Sequence, residues 1–145
     1  MPSSSQPIQQ VGGQPCAVIL VSADGSQNNW INNILDPVQH RPGYFQWSPD
    51  SKTLAYFDHK ENSIALMSVE TLAVSQLTKV EVDEKSQWPY YYGNLIWLPD
   101  GKQIVFIQGD GSGGFVASVV DLSGNVKTLF TAKYPVGLYA ESVTN

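Results

Sequence analysis

The sequence predicts an all-β fold made of repeated four-stranded antiparallel sheets. Three observations support this prediction: short runs rich in Val, Ile, Tyr, Phe and Trp, turn-forming residues between the runs, and a segment that recurs about fifty residues later. No window of about eleven residues combines a helical period with capping residues. The chain has 145 residues, which is the length of one ordinary domain.

Nine strands are expected after residue 15, and Gly, Pro, Asn or Asp lies between most of them. In chain order they are Ala17–Val21, Tyr44–Trp47, Thr53–Phe57, Ser63–Val69, Val74–Thr78, Asn94–Trp97, Gln103–Ile107, Phe115–Val120 and Val126–Phe130. A further strand is expected around Tyr134–Tyr139. Residues 1–15 contain mainly Ser, Gln, Pro and Gly, which predicts a flexible lead before a folded domain at 16–145.

The strongest signal is an internal repeat. Residues 45–57 match residues 95–107 at an offset of 50, and Val74–Thr78 matches Val126–Phe130 at an offset of 52. A period of about 50 residues with four strands is typical of a β-propeller blade. We therefore expect two full blades, and residues 17–34 are expected to form the outer two strands of another blade, which gives about three blades.

The repeated motif has a structural explanation. Pro49 and Pro99 fix φ for a tight turn, and the aspartate that follows each of them can accept hydrogen bonds from turn amides. Gly101 suits a turn position with positive φ, where the other copy has Ser51. The tryptophans at 47 and 97 are expected to pack between neighbouring sheets.

These repeats resemble those of a known family. The segments Trp-Ser-Pro-Asp-Ser-Lys-x-Leu-Ala-Tyr at 47–56, Trp-Leu-Pro-Asp-Gly-Lys-x-Ile-Val-Phe at 97–106 and Ile-Leu-Val-Ser-Ala-Asp-Gly-Ser at 19–26 resemble the repeat of TolB-like β-propellers. The same repeat is found in the propeller domains of prolyl-oligopeptidase-like peptidases. The resemblance covers about residues 17–135 and implies a bacterial envelope interaction module, in the periplasm or another extracytoplasmic compartment.

About three blades are fewer than the 4–8 that usually close a propeller. Three interpretations remain open. The chain is part of a longer propeller, or two copies form one ring, or another subunit supplies the missing blades. The resemblance to six-bladed TolB-like propellers favours a homodimer. Residues 1–15 are not expected to be a signal peptide, since they do not contain a basic segment followed by an apolar one.

Composition excludes several functions. The net charge of −5 argues against a nucleic-acid partner, and no apolar run is long enough for insertion into a membrane. The single cysteine, Cys16, excludes an internal disulfide and a cysteine-based zinc cluster. Residues Gly109–Gly114 lack the acidic spacing of a calcium loop and the strand–helix context of a nucleophile elbow. We expect no cofactor, no metal and no catalytic residue.

The candidate binding residues lie in loops. The four strands of a blade are called a, b, c and d in chain order. Because successive strands alternate in direction, the short a–b and c–d turns lie on one side of the blades, and the longer b–c loops and d–a connections lie on the other. On this loop-rich side we expect a binding surface that contains Trp88, Tyr90, Tyr91, Tyr92, His40, Arg41, His59 and Asp58. The aromatic residues either bind a partner or fill a gap between blades, and at least one ring is expected to be exposed.

The expected function is a non-enzymatic module that binds a protein or peptide through its loop-rich side. One alternative is the propeller part of a larger hydrolase, a peptidase or polysaccharide-degrading enzyme, whose catalytic domain lies elsewhere. Another alternative is a self-assembling propeller whose Trp88 and neighbouring tyrosines bind a glycan.

Overall fold

The computed structural model describes residues 10–11, 14–15, 18–31 and 45–141. These residues form antiparallel strands joined by turns and loops, together with one short 3₁₀ turn at Pro89–Tyr91. The chain divides into two units, Met1–Gly43 and Tyr44–Asn145. Each unit is described below by itself.

The first unit contains two small antiparallel pairs. Strand β1 (Gln10–Val11) pairs with β2 (Gln14–Pro15), and β3 (Val18–Val21) pairs with β4 (Asn28–Ile31). The turn between β3 and β4 contains Gly25 at a φ of +73°. The two strands expected within 17–34 are confirmed as a hairpin, whereas most of the expected flexible lead and Cys16 lie outside the described residues.

The second unit contains two complete four-stranded sheets, here named blade I and blade II. Blade I consists of β5 (Gln46–Trp47), β6 (Thr53–Asp58), β7 (Ser63–Ser68) and β8 (Val74–Lys79). Blade II consists of β9 (Leu95–Trp97), β10 (Gln103–Gly109), β11 (Phe115–Asp121) and β12 (Val126–Ala132). Sequence neighbours pair antiparallel in both sheets, and each predicted strand boundary is confirmed within two residues.

The core lies between the two blades. The middle strands β6, β7, β10 and β11 have buried residues at successive positions, not only at alternate ones, because both faces of a blade are covered there. Fully burying one such aliphatic or aromatic side chain contributes roughly 1.5–3 kcal/mol. The buried side chains that join the blades are Ala55, Phe57 and Ile64 of blade I and Leu95, Trp97, Ile104, Phe106 and Val120 of blade II.

Both blades contain a bulge at the same position of the repeat. The register of β7 and β8 shifts between Ile64 and Ala65, and that of β11 and β12 shifts between Ala117 and Ser118. The extra residue is Leu77 in blade I and Leu129 in blade II, which are 52 residues apart. The repeat therefore extends to the irregularity of the outer strand.

The expectation of a strand around Tyr134–Tyr139 is wrong. Residues 133–141 form no strand, and Val136 and Leu138 instead pack against blade II. The physical reason is the length of the connection. In blade I the chain uses residues 80–94 to pass from β8 to β9, so the equivalent stretch after β12 is still a connection at residue 139.

The two repeated tryptophans differ in burial. The side chain of Trp97 is 6% exposed, as expected for a ring between sheets, whereas that of Trp47 is 48% exposed. The ring of Trp97 lies in one buried cluster with side chains of blade I. No sheet precedes Trp47 within the second unit, so the expectation of a ring packed between sheets is wrong for Trp47.

Candidate binding surface

Turns and loops lie on opposite sides of the blades, as the alternating strand directions predict. On the turn side, the amide of Val69 donates to the carbonyl of Lys52 at 3.0 Å and so joins the c–d turn of blade I to its a–b turn. On the loop side, the amide of Gly109 donates to the carbonyl of Glu81 at 2.7 Å. This second bond joins the b–c loop of blade II to the connection between the blades.

The turn side is built from repeated carboxylate turns. The Oδ1 atoms of Asp50 and Asp100 accept hydrogen bonds from the amides of Lys52 and Lys102, at 3.0 and 2.9 Å. Hydrogen bonding from the Ser48 hydroxyl is the main reason that the pKa of Asp50 is lowered. These carboxylates hold the turns in shape, as the motif predicts.

A cleft of about 270 Å³ opens between the blades on this turn side. Its lining combines apolar side chains with the two turn carboxylates. The lining residues are Ser48, Pro49, Asp50, Thr53, Leu66, Trp97, Asp100, Gly101 and Leu122.

The loop side is dominated by the connection at residues 80–94. Further polar contacts hold this connection against blade II, beyond the bond between Gly109 and Glu81. The amide of Glu81 donates to Oε1 of Gln108 at 3.1 Å, and the amide of Gly93 donates to the carbonyl of Ile107 at 2.8 Å. The hydroxyls of Ser86 and Tyr92 donate to the carbonyls of Gly113 and Gly114, at 3.4 and 3.2 Å.

The aromatic run at 88–92 divides into buried and exposed rings. Tyr92 is fully buried, with its ring centroid 5.1 Å from that of Phe115. Tyr91 is 41% exposed and meets the same phenylalanine edge to face at 6.3 Å. Trp88 is half-buried. The expectation that at least one ring is exposed is confirmed by Tyr91.

Tyr134 is a surface aromatic that the sequence analysis did not select for binding. It is 65% exposed, and its ring lies edge to face with that of Trp88 at 6.1 Å. The sequence predicts a strand at this position, because the alternation of Tyr, Val and Leu at 134–139 is similar to a strand pattern. Trp88, Tyr91 and Tyr134 are named the aromatic surface below.

The other candidate residues have different surroundings. Asp58 is the last residue of β6, and its Oδ1 accepts hydrogen bonds from the amides of Lys60 and Glu61, at 3.0 and 3.2 Å. Its Oδ2 accepts from the side-chain amide of Gln76 at 3.1 Å. The Asp58 carboxylate therefore shapes the b–c turn of blade I and ties it to β8.

His59 is half-buried, and its ring lies edge to face with that of Phe57 at 4.6 Å. His40 and Arg41, and the expected meeting of His40 with His59, lie outside the described residues. The side chain of Tyr90 also lies outside them. Within the part of the chain that the structure describes, no three His, Cys, Asp or Glu side chains are grouped as metal ligands would be.

The Gly-rich loop at 109–114 is organised by one carboxylate. The Oδ1 atom of Asp110 accepts hydrogen bonds from the amide and hydroxyl of Ser112 and from the amide of Gly114, at 2.7, 2.9 and 2.9 Å. These bonds lower the pKa of Asp110 and keep the carboxylate charged. These hydrogen bonds therefore fix the conformation of a loop that lies on the loop side, next to the aromatic surface.

The two repeated sheets, their shared turn motif and the core between them define this chain as a set of β-propeller blades. Comparison with solved structures shows the TolB-like β-propeller fold. The chain is similar to TolB from Acinetobacter baumannii, with 24% sequence identity and a TM-score of 0.55, and the match covers 79% of this chain and 26% of that one.

A putative TolB from Agrobacterium tumefaciens also matches, with 20% identity and a TM-score of 0.34, over 84% of this chain and 60% of that chain. The present chain thus spans about a quarter of the length of the first structure. No protein-family model matches the sequence, and no curated protein matches it significantly. Among the described residues, no helix is long and apolar enough to cross a membrane.

Proposed function

We propose that this chain is a non-enzymatic propeller module that binds a protein or peptide through the aromatic surface on its loop side. One observation carries the proposal. The aromatic surface is exposed, yet the connection that bears two of its three rings is held to blade II by the polar contacts described above. Exposed aromatic rings on an ordered support bind with little loss of conformational entropy, and aromatic residues dominate the binding energy of many interfaces.

Charge indicates the kind of peptide. Glu81 and Glu84 are exposed on the connection that bears Trp88 and Tyr91, and Asp83 is half-buried on it, whereas Lys85 is the one exposed cation of the described residues 80–94. The whole chain also carries a net charge of −5. A neutral or basic peptide with its own apolar side chains suits this surface better than an acidic one.

The carboxylates on both sides of the blades support a structural and not a catalytic role. Hydrogen bonds from their own turns lower the pKa values of Asp24, Asp110 and Asp121, which favours the charged state and opposes proton transfer near neutral pH. Hydrolysis of a peptide or polysaccharide by the purified chain would contradict the non-enzymatic part of the proposal.

A displayed library of random peptides, selected on the wild-type chain, tests the binding role. The best peptide is synthesised and its dissociation constant is measured by fluorescence anisotropy. We expect Tyr91→Ala and Tyr134→Ala each to weaken binding by about tenfold or more, as for other aromatic hot spots. Tyr139→Ala is the matched control, because Tyr139 is 84% exposed and has no place in the aromatic surface.

The same variants separate the alternatives. Equal binding of the selected peptide by the wild type and both variants would contradict the aromatic surface as the binding site. A glycan array in which a ligand is bound by the wild type and lost in a folded Trp88→Ala variant, with no peptide selected, would favour the glycan-binding alternative.

A further inference from the structure

The outer part of blade II is apolar and exposed. Leu129 and Phe130 on β12 are 47% and 50% exposed, and Phe130 lies opposite Ala117, on the face of the sheet that is turned away from Val120 and blade I. Contiguous apolar surface of this kind marks interaction sites on soluble proteins. The inner, loop-side part of the same sheet is different, since Val136 and Leu138 pack there against the buried cluster of blade II.

Blade I shows what covers this position of the repeat. Leu77, the equivalent of Leu129, packs against the core between the blades. It does so because the c–d hairpin of blade II lies on strand β8. Val120 at the start of that hairpin turn is fully buried in the shared core, and a Cβ atom on Gly124 would lie 3.1 Å from the carbonyl oxygen of Leu77.

The chain contains a second hairpin with the same features and an open surface. Val21 pairs with Asn28 next to the turn of the β3–β4 hairpin. Val120 has the same position in blade II, where it pairs with Val126 next to the turn of the β11–β12 hairpin. Gly25 has the positive φ of Gly124, at +73° against +88°. However, Val21 is 55% exposed, and no described atom lies within 4 Å of a Cβ placed on Gly25.

We propose that a second copy of this chain docks its β3–β4 hairpin, through Val21 and Gly25, on the outer part of blade II at Leu129 and Phe130. The contact repeats between copies the interface that the hairpin of blade II makes with β8 inside one copy. Both halves of the interface are present in every chain, which is why the occupant is a second copy. The contact is heterologous, and two such contacts close a dimer when they form reciprocally.

Light scattering after gel filtration tests the proposal on the full chain. We expect a dimer of about 32 kDa, twice the 15.9 kDa of one chain. Val21→Asp and Leu129→Asp each place a charge in the contact, and each is expected to give a monomer. Both residues are exposed, so each variant is expected to have a thermal unfolding curve close to that of the wild type. If an aspartate variant fails to fold, the serine variant at the same position, Val21→Ser or Leu129→Ser, takes its place.

Thr128→Asp is the matched control, because Thr128 is exposed on the same strand but lies opposite Ser118, on the face of the sheet that also bears Val120. It is expected to remain a dimer. A mixture of the Val21 and Leu129 variants should regain a dimeric species, because each retains the surface that the other has lost. A monomeric wild type, or a folded Val21 variant that stays dimeric, would overturn the proposal.

Discussion

The indole Nε1 of Trp97 donates a hydrogen bond to the backbone carbonyl of Gln46 at 3.0 Å. The bond joins β9, the first strand of blade II, to β5, the first strand of blade I, although these two strands do not pair in a sheet. The ring of Trp97 is buried in the core between the blades. One residue of the repeat therefore contributes both apolar contact and a fixed polar contact to the packing of adjacent blades.

Replacement of Trp97 by Phe tests this contact. The substitution keeps an aromatic ring but removes the donor, so the Gln46 carbonyl loses its partner and the core loses volume. We expect the free energy of unfolding in urea to fall by roughly 2–4 kcal/mol, from the lost hydrogen bond and the cavity together. Trp47→Phe is the control: at this half-exposed position, the fall should be below about 1 kcal/mol. Equal effects at both positions would contradict the interpretation.

A glycine at the end of the connection allows close packing of the blades. Gly93 has a φ of +86°, and a Cβ atom there would overlap the ring of Phe57. We expect Gly93→Ala to lower the free energy of unfolding by roughly 2–5 kcal/mol, from the left-handed backbone and from overpacking.

Two other glycines separate these two contributions. Gly111 has the same φ of +86° but open space around its Cβ position, so Gly111→Ala should cost only about 1–2 kcal/mol. Gly137 has open space and no left-handed φ, so Gly137→Ala should have almost no effect. If all three substitutions have equal effects in urea unfolding, the close approach of Phe57 does not determine the packing.

The a–b turns allow a direct exchange between the repeats. Ser51 has a φ of +61° at the position where blade II has Gly101 with a φ of +70°. Ser51→Gly is expected to raise the midpoint of thermal unfolding slightly, by relief of about 1 kcal/mol of backbone strain, partly offset by the entropy of glycine. Gly101→Ser should lower the midpoint. A lower midpoint for both variants would show that the turns are not equivalent.

Acidic pH should destabilise the chain through its turn carboxylates. Hydrogen bonds from the Ser22 hydroxyl, and then from the amide and hydroxyl of Ser26, lower the pKa of Asp24 to about 2. Because the folded pKa lies below the unfolded value of 3.8, the stabilising contribution is present above that value and is lost as the pH falls towards 2.

Urea unfolding between pH 5 and pH 2.5 measures this loss. The free energy of unfolding should fall steadily below about pH 4. Asp110 also has a lowered pKa, so Asp110→Asn should make the fall shallower. Carboxyl resonances of Asp24 and Asp110 that titrate at ordinary values would contradict the hydrogen-bonded turns.

The strands, the blade repeat and the separation of loops from turns could be predicted from sequence because they depend on local patterns. Apolar runs between Pro, Asp and Gly define each hairpin, and strand direction then fixes the side of every loop. The positive φ at Gly101 and the turn bonds of Asp50 and Asp100 also follow from residue type at a known turn position.

Burial at the ends of the repeat could not be predicted in the same way. Trp47 and Trp97 occupy the same position of the repeat. Trp97 is buried because blade I precedes it in the second unit, whereas Trp47 has no preceding sheet in that unit and is exposed. Likewise, Tyr91 and Tyr92 are neighbours of the same type and both contact Phe115, but only Tyr92 is buried in the cluster. Tertiary packing, and not local composition, decides these differences, and it also brings Tyr134 beside Trp88.

The most direct test of the proposed binding role is a two-dimensional amide NMR spectrum of the chain, recorded with and without the peptide selected on it. The account predicts that the largest shifts occur on the loop side, at residues 86–93, 109–114 and 133–136. The turn side, at residues 48–52 and 98–102, should change little and serves as the internal reference. Shifts concentrated on the turn side, with the loop side unchanged, would contradict the account.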